Sequence, residues 1–174
     1  PHELAPGSSF LYDRILCDVP CSGDGTLRKN ADLWMRWVPT AGHALHPTQL
    51  LILSRAIALS APGARIVYST CSMNPVEDEA VIAAAIQSAQ HKVRLVDVSS
   101  ELPLLKRRAG VHTWRCMDNE GKWYSSFEEV PEPLRKKLVA TSFPPSEEKA
   151  KELQLERCMR FLPHDQDTGG FFVA

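Results

Sequence analysis

Along the chain, apolar residues gather in short runs punctuated by Pro, Gly and polar clusters. Tyr12-Asp13-Arg14-Ile15-Leu16-Cys17-Asp18-Val19 is one such run, halted by Pro20 and by Gly23 and Gly25. It predicts a buried strand opening into a tight, glycine-containing loop. The first ten residues read as a loop. Residues 26–45 are mixed and contain Trp34 and Trp37, which predicts a loop with a short helix. From 47 to 61 the apolar residues Leu50, Leu53 and Ile57 recur at helical spacing, and Pro62-Gly63 ends the segment.

A second strand is predicted over 64–69, running into Thr70-Cys71-Ser72. A helix start then follows in the local sequence. Asn74 suits an N-cap, Pro75 the first helical position and Glu77 the capping-box acceptor three residues after the cap. Glu77, Asp78 and Glu79 lie where the helix dipole favours negative charge, so capping accounts for all three. This helix is predicted to reach about Ala89, with another strand over 93–98. The alternation is the βαβ pattern of an α/β fold. The strands ending at Asp18 and Ser69 are expected to be parallel neighbours.

Residues 104–154 break the rhythm, with basic Lys106-Arg107-Arg108 and Arg135-Lys136-Lys137, aromatic Trp114, Trp123 and Phe127, and a hairpin turn at Asp118-Asn119-Glu120-Gly121. We therefore divide the chain into a core over 1–103, an inserted or peripheral segment over 104–154, and final core strands over 155–174. In the last part a helix from about Ser146 precedes a strand over 157–162, a turn over 164–170 and a last strand from Phe171. The sequence ends inside that strand and reads as part of a longer polypeptide.

Composition narrows the class without deciding it. With 174 residues, 44% hydrophobic and 24% charged, the chain can fill one domain with a sizeable core. Twenty Lys+Arg against 21 Asp+Glu give a net charge of −1, so only local clusters could meet nucleic acid. No apolar run approaches the roughly 18 residues that span a bilayer, and the start is not a signal peptide. Five cysteines at irregular spacing do not form a disulfide framework and favour a reducing, intracellular compartment.

Two of those cysteines follow predicted strand ends, where open α/β sheets bind ligands. Cys21 lies in Asp18-Val19-Pro20-Cys21-Ser22-Gly23 and Cys71 in Ser69-Thr70-Cys71-Ser72. Adjacent parallel strands are about 4.8 Å apart, so both thiols can flank one substrate. A helix amino end just beyond Cys71 would favour its thiolate. A free cysteine is also often just a small buried hydrophobe, and Cys17, Cys116 and Cys158 are read that way. Position alone leaves Cys21 and Cys71 open between the two readings. His43 and His46 are read as surface groups, and no ligand set at metal-binding spacing accompanies the thiols.

The segments from Asp18 to Thr26 and from Ser69 to Val81 resemble the fourth and sixth motifs of the Nol/Nop/Sun family of RNA cytosine-5 methyltransferases. The closing Leu162-Pro163-His164-Asp165-Gln166-Asp167-Thr168-Gly169-Gly170-Phe171-Phe172-Val173-Ala174 is similar to the end of that domain in the eukaryotic tRNA branch. The likeness spans residues 12 to 174 and is weakest over 104–154. It implies the later half of a Rossmann-like class I methyltransferase fold, a mostly parallel sheet with an antiparallel last strand. It also implies S-adenosyl-L-methionine as cofactor, RNA (by this branch, tRNA) as partner, and a nuclear or nucleolar location. By the same resemblance Cys71 is the nucleophile toward ring carbon 6 of cytosine, and Cys21 assists release of the product. The residues themselves do not order these roles, because DNA cytosine methyltransferases use the Pro-Cys cysteine to attack. Asp18 is placed in the S-adenosylmethionine pocket; its local alternative is a turn-forming Asp before Val-Pro.

The pattern also departs from that family. No glycine-rich cofactor loop follows a first strand, and no acidic residue ends a second one. The expectation is a polypeptide that by itself binds cofactor poorly, turns over little, and carries an open sheet edge inviting self-association. Arg28, Lys29 and the two basic clusters are candidates for phosphate contact. Two rival readings stay open: a non-catalytic RNA-binding or interaction module with this fold, and a thiol redox protein using Cys17 and Cys21.

Overall fold

The computed structural model of the chain describes residues 11–90 and 92–174. The loop expected over residues 1–10 lies outside them. In chain order the elements are β1 (Tyr12–Asp18), α1 (Leu33–Arg36), α2 (Ala41–Ala58), β2 (Ser60–Thr70), α3 (Glu79–Ser88), β3 (Arg108–Ala109), β4 (Cys116–Met117), β5 (Trp123–Tyr124), α4 (Glu147–Leu153), β6 (Met159–Phe161), α5 (Pro163–Gln166) and β7 (Phe171–Val173).

Five strands form one sheet in the order β1-β2-β7-β6-β3. β1 and β2 are parallel neighbours, with Asp18 opposite Ser69, so the two cysteine loops leave the same end of the sheet side by side. β7 runs antiparallel to β2, as the last strand was expected to, and β6 and β3 continue antiparallel. The described sheet is therefore mixed. β2 begins earlier than its apolar run because Ser60 already pairs with Tyr12. An irregularity in register then absorbs Pro62 and Gly63, the latter at φ +81°.

Helices α2 and α3 cover one face. Leu53, Ala56, Val81, Ile82 and Ala85 pack there with Cys17, Tyr68 and Phe172. Strand alternation sends neighbours to opposite faces: Cys17 is buried, while Leu16 is 70% exposed. The other face carries an apolar groove lined by residues that include Val67, Val96, Phe161 and Val173. β1 and β3 form the two edges of the described sheet. The β4–β5 hairpin turns at Gly121 (φ +83°) as predicted, over a small second core of Val76, Cys116, Tyr124, Val130, Leu138 and Phe143.

Three expectations fail here. Residues 93–98 form no strand. Their carbonyls are taken by arginine side chains instead of a ladder: Arg157 donates to Leu95 O at 2.9 Å and Arg107 to Val98 O at 2.6 Å. α2 begins at Ala41, not at Pro47, which sits inside it. Proline forfeits one helical hydrogen bond, and tertiary contacts of the preceding turn outweigh that loss. His46, fully buried, places Nδ1 2.7 Å from Val76 O and Nε2 2.9 Å from Thr141 Oγ1. His43 is buried too, so neither histidine is a surface group. Burial, then the neighbouring His46, holds the pKa of His43 down to about 4.

The antiparallel half of the sheet is bolted to α3 by Arg160 on β6. Its Nε donates to Glu79 Oε1 at 2.6 Å, Nη2 pairs with Glu79 Oε2, and Nη1 donates to Met73 O at 2.9 Å. Both side chains of the ion pair are buried. Removing one member of a buried pair strands the other's charge. Arg160→Met is therefore expected to cost about 3–5 kcal/mol, read as a lower urea midpoint; an unchanged midpoint would refute this account of the α3–β6 contact.

Candidate active site

β1 and β2 end in register, and the chain leaving β1 stays attached to the next loop at every turn. Val19 N donates to Ser69 O at 3.1 Å, Gly25 N to Cys71 O at 3.0 Å, and Met73 N to Asp24 Oδ1 at 2.6 Å. Gly170, in the turn before β7, adds a third segment by donating to Gly25 O at 2.7 Å. No side chain fits between these backbones. A Cβ on Gly25 would lie 2.6 Å from Cys71 O and 2.7 Å from Gly170 O.

The result is a thiol pair. Cys21 Sγ and Cys71 Sγ are 3.2 Å apart, and both residues are half-buried. The remaining three cysteines, Cys17, Cys116 and Cys158, are buried as read from the sequence. Accepting the Cys21 S–H pulls the pKa of Cys71 down to about 7, against opposing burial. Donating it pushes the Cys21 thiol up, and burial adds to that. The site therefore holds two sulfurs in contact that share one hydrogen bond, which eases loss of the first proton and resists loss of the second. Asp18 stands exposed at the tip of β1, where Ser69 Oγ donates to its Oδ1 at 2.8 Å, and its charge opposes ionisation of Cys71.

Beneath the thiols lies a residue that sequence reasoning assigned to helix capping. α3 starts at Glu79 and not at Asn74–Pro75, and Glu77 does not reach back to the Asn74 N–H, which goes to Ser72 Oγ at 3.0 Å. Instead the fully buried Glu77 carboxyl accepts from Ser22 N at 2.8 Å, Ser22 Oγ at 2.5 Å, Ser72 Oγ at 2.9 Å and Gln49 Nε2 at 3.1 Å. Ser22 follows Cys21 and Ser72 follows Cys71, so one side chain pins both cysteine loops. Asp78 and Glu79 are equally buried, not dipole-facing surface acids. Asp78 accepts from Thr70 Oγ1 at 2.7 Å, and burial, then Glu79, raises its pKa well above the usual range. The legible signal was a serine after each cysteine; the shared acceptor was not local.

The arginines among the basic candidates have partners within the chain. Arg28 pairs with Asp167 at 2.6 Å, Arg108 with Asp165 at 2.6 Å, and Arg135 donates to Val130 O at 2.9 Å. Among the described residues no group of three or more His, Cys, Asp and Glu side chains could hold a metal, and no helix is long and apolar enough to cross a membrane.

Residues 3–174 match the family described as 16S rRNA methyltransferase RsmB/F. The chain belongs to this family. It is 48% identical over 165 residues to the multisite-specific tRNA:(cytosine-C(5))-methyltransferase trm4b of Schizosaccharomyces pombe, covering 94% of this chain and 24% of that one. It is 47% identical over 165 residues to the tRNA (cytosine(34)-C(5))-methyltransferase of Drosophila melanogaster, covering 94% and 22%. The chain thus spans about a quarter of the length of the curated relatives it matches. A solved methyltransferase homologue from Pyrococcus horikoshii shares the fold at TM-score 0.53 and 23% identity, over 94% of this chain and 38% of that one.

Within the RsmB/F fold, the described residues fit a methyl-donor cofactor only in part. Asp18 presents an exposed carboxyl at a strand tip, but Gly25 is not free to cradle a ligand, being packed against Cys71 and Gly170.

If the Cys21 donor sets the ionisation of Cys71, alkylation of Cys71 by iodoacetamide should titrate with a midpoint near pH 7. Cys21→Ala should move that midpoint up toward the ordinary thiol value of about 8.5. Gly25→Ala, which forces the loops apart, should do the same. A midpoint indifferent to both substitutions would overturn the assignment.

Proposed function

We propose that this chain is the part of an RNA cytosine-5 methyltransferase that performs the covalent chemistry on the base, with tRNA as the substrate class. The single observation carrying this is the 3.2 Å contact between Cys21 and Cys71 at the tips of adjacent parallel strands. Carbon 5 of cytosine is a poor nucleophile. Addition of a thiolate to carbon 6 makes it enamine-like. We assign that addition to Cys71 by the resemblance of its Thr-Cys-Ser motif, with its lowered pKa in support. Cys21 keeps its proton and stands beside the adduct, where its sulfur can assist the proton removal and elimination that release the product. The names of the tRNA relatives support cytosine carbon 5 as the target and tRNA as the substrate.

S-adenosyl-L-methionine is the methyl donor in this reading and supplies an electrophilic methyl group. Asp18 is the residue of this chain proposed to face it. Because Gly25 is committed to loop contacts and no glycine-rich loop follows a first strand in this sequence, the polypeptide alone should bind S-adenosylmethionine more weakly than micromolar; calorimetry giving micromolar affinity would contradict this. The target base must be unstacked to reach the thiols, which costs a few kcal/mol outside loops. Exposed Trp34 and Trp37, beyond the Cys21 loop, offer surfaces on which bases can stack. A binding-only module finds less support, since Arg107, Arg108 and Arg135 are engaged within the chain.

In the complete gene product, RNA containing 5-azacytosine should give a covalent band on a denaturing gel, and Cys71→Ala should abolish it. Cys21→Ala should accumulate an adduct with ordinary RNA. Methylation by Cys71→Ala should fall by about three orders of magnitude or more. Loss of the band in Cys21→Ala but not in Cys71→Ala would reverse the two roles.

A further inference from the structure

The thiol contact also bears on oxidation. A disulfide needs its sulfurs about 2.0 Å apart with the backbones already close. Cys21 and Cys71 are 3.2 Å apart, and their loops are held together by Gly25 N on Cys71 O, Asp24 on Met73 N, and Glu77 on Ser22 and Ser72. Both side chains are half-buried, whereas Cys17, Cys116 and Cys158 are buried and, in each, burial pushes the thiol pKa up. The chain thus separates its cysteines into one reachable pair and three protected thiols.

We propose that Cys21 and Cys71 form an oxidation site that closes to an intramolecular disulfide when the protein meets a peroxide. The Cys71 thiolate attacks one peroxide oxygen, the O–O bond breaks, and hydroxide leaves to be protonated, giving a sulfenic acid on Cys71. The sulfur of Cys21 then attacks that of Cys71. The S–S bond forms, the S–O bond breaks, and the departing hydroxide takes the Cys21 proton as water. Two thiols are oxidised by two electrons, and one peroxide is reduced to two waters. Partial ionisation of Cys71 near neutrality favours the first step, and contact with Cys21 favours the second over further oxidation to sulfinic acid. The bond would occupy the gap in which a pyrimidine has to sit. That consequence rests on the function proposed above; formation of the disulfide does not.

The complete gene product is treated with hydrogen peroxide, quenched, alkylated, and mapped as peptides without reduction. The expected result is loss of two free thiols, a linked peptide containing Cys21 and Cys71, and recovery of both thiols with dithiothreitol. Cys17→Ala should behave like the parent; Cys21→Ser should leave Cys71 as sulfenic or sulfinic acid. Adduct formation with 5-azacytosine RNA should fall by at least about tenfold on oxidation and return on reduction. Peroxide that oxidises Cys71 while Cys21 stays free, or that links either to Cys17, overturns the proposal. A disulfide that forms in a protein unable to make the RNA adduct even when reduced sustains the oxidation site and sinks the methyltransferase reading. An adduct-forming protein without the disulfide does the reverse.

Discussion

Two loops leaving adjacent strands stay in contact here because one buried carboxyl accepts hydrogen bonds from both. Glu77 takes donors from Ser22 on one side, Ser72 on the other and Gln49 of α2 beneath. A buried acidic group is tolerated only when its oxygens are satisfied, and four donors from three segments meet that demand. The same condition makes the site rigid: the loops cannot separate without leaving Glu77 unsatisfied. Placement of each sulfur follows, because each cysteine directly precedes a serine held by this group.

A second layer of polar contacts fixes the clamp to the rest of the fold. Arg160 reaches from β6 to Glu79 and to the carbonyl of Met73, two residues past Cys71. Tyr68 donates to the carbonyl of Glu77 at 2.6 Å, so β2 grips the segment before α3 from the other direction. Close approach of Gly25 and Gly170 then lets the turn before β7 rest against both loops. Strand pairing sets the coarse position, within the spacing of a sheet, and the buried polar network sets the fine position, within the contact distance of two thiols.

The cysteines illustrate how environment separates residues of one type. Those in the apolar core are inert because burial disfavours their charged form. At the two strand-tip cysteines the hydrogen bond they share is the largest influence, lowering one pKa and raising the other. In the roles proposed above, a nucleophile and a proton-bearing partner arise from identical side chains, and the same contact underlies the proposed oxidation.

Much of this was legible from local order. The strand before Pro20, the parallel neighbour ending at Ser69, the hairpin at Gly121 and the helix capped by Ser146 each follow from short-range pattern and turn chemistry. The position of both cysteines at strand exits was equally readable. What local order could not provide was partner identity across the chain. Glu77 sits where a helix cap would, His43 and His46 where a surface turn would, and residues 93–98 where a strand would. In each case a group distant in sequence takes the hydrogen bond that local structure would have used: Ser22, Thr141 and Arg157 respectively for Glu77, His46 and Leu95. The sequence by itself determined the two strands and the helices that frame the site and which strand ends face it. The tertiary structure alone decided that two sulfurs touch, because a hydrogen-bond acceptor buried between segments is shared by proximity in space, and proximity in space is not written in any one segment.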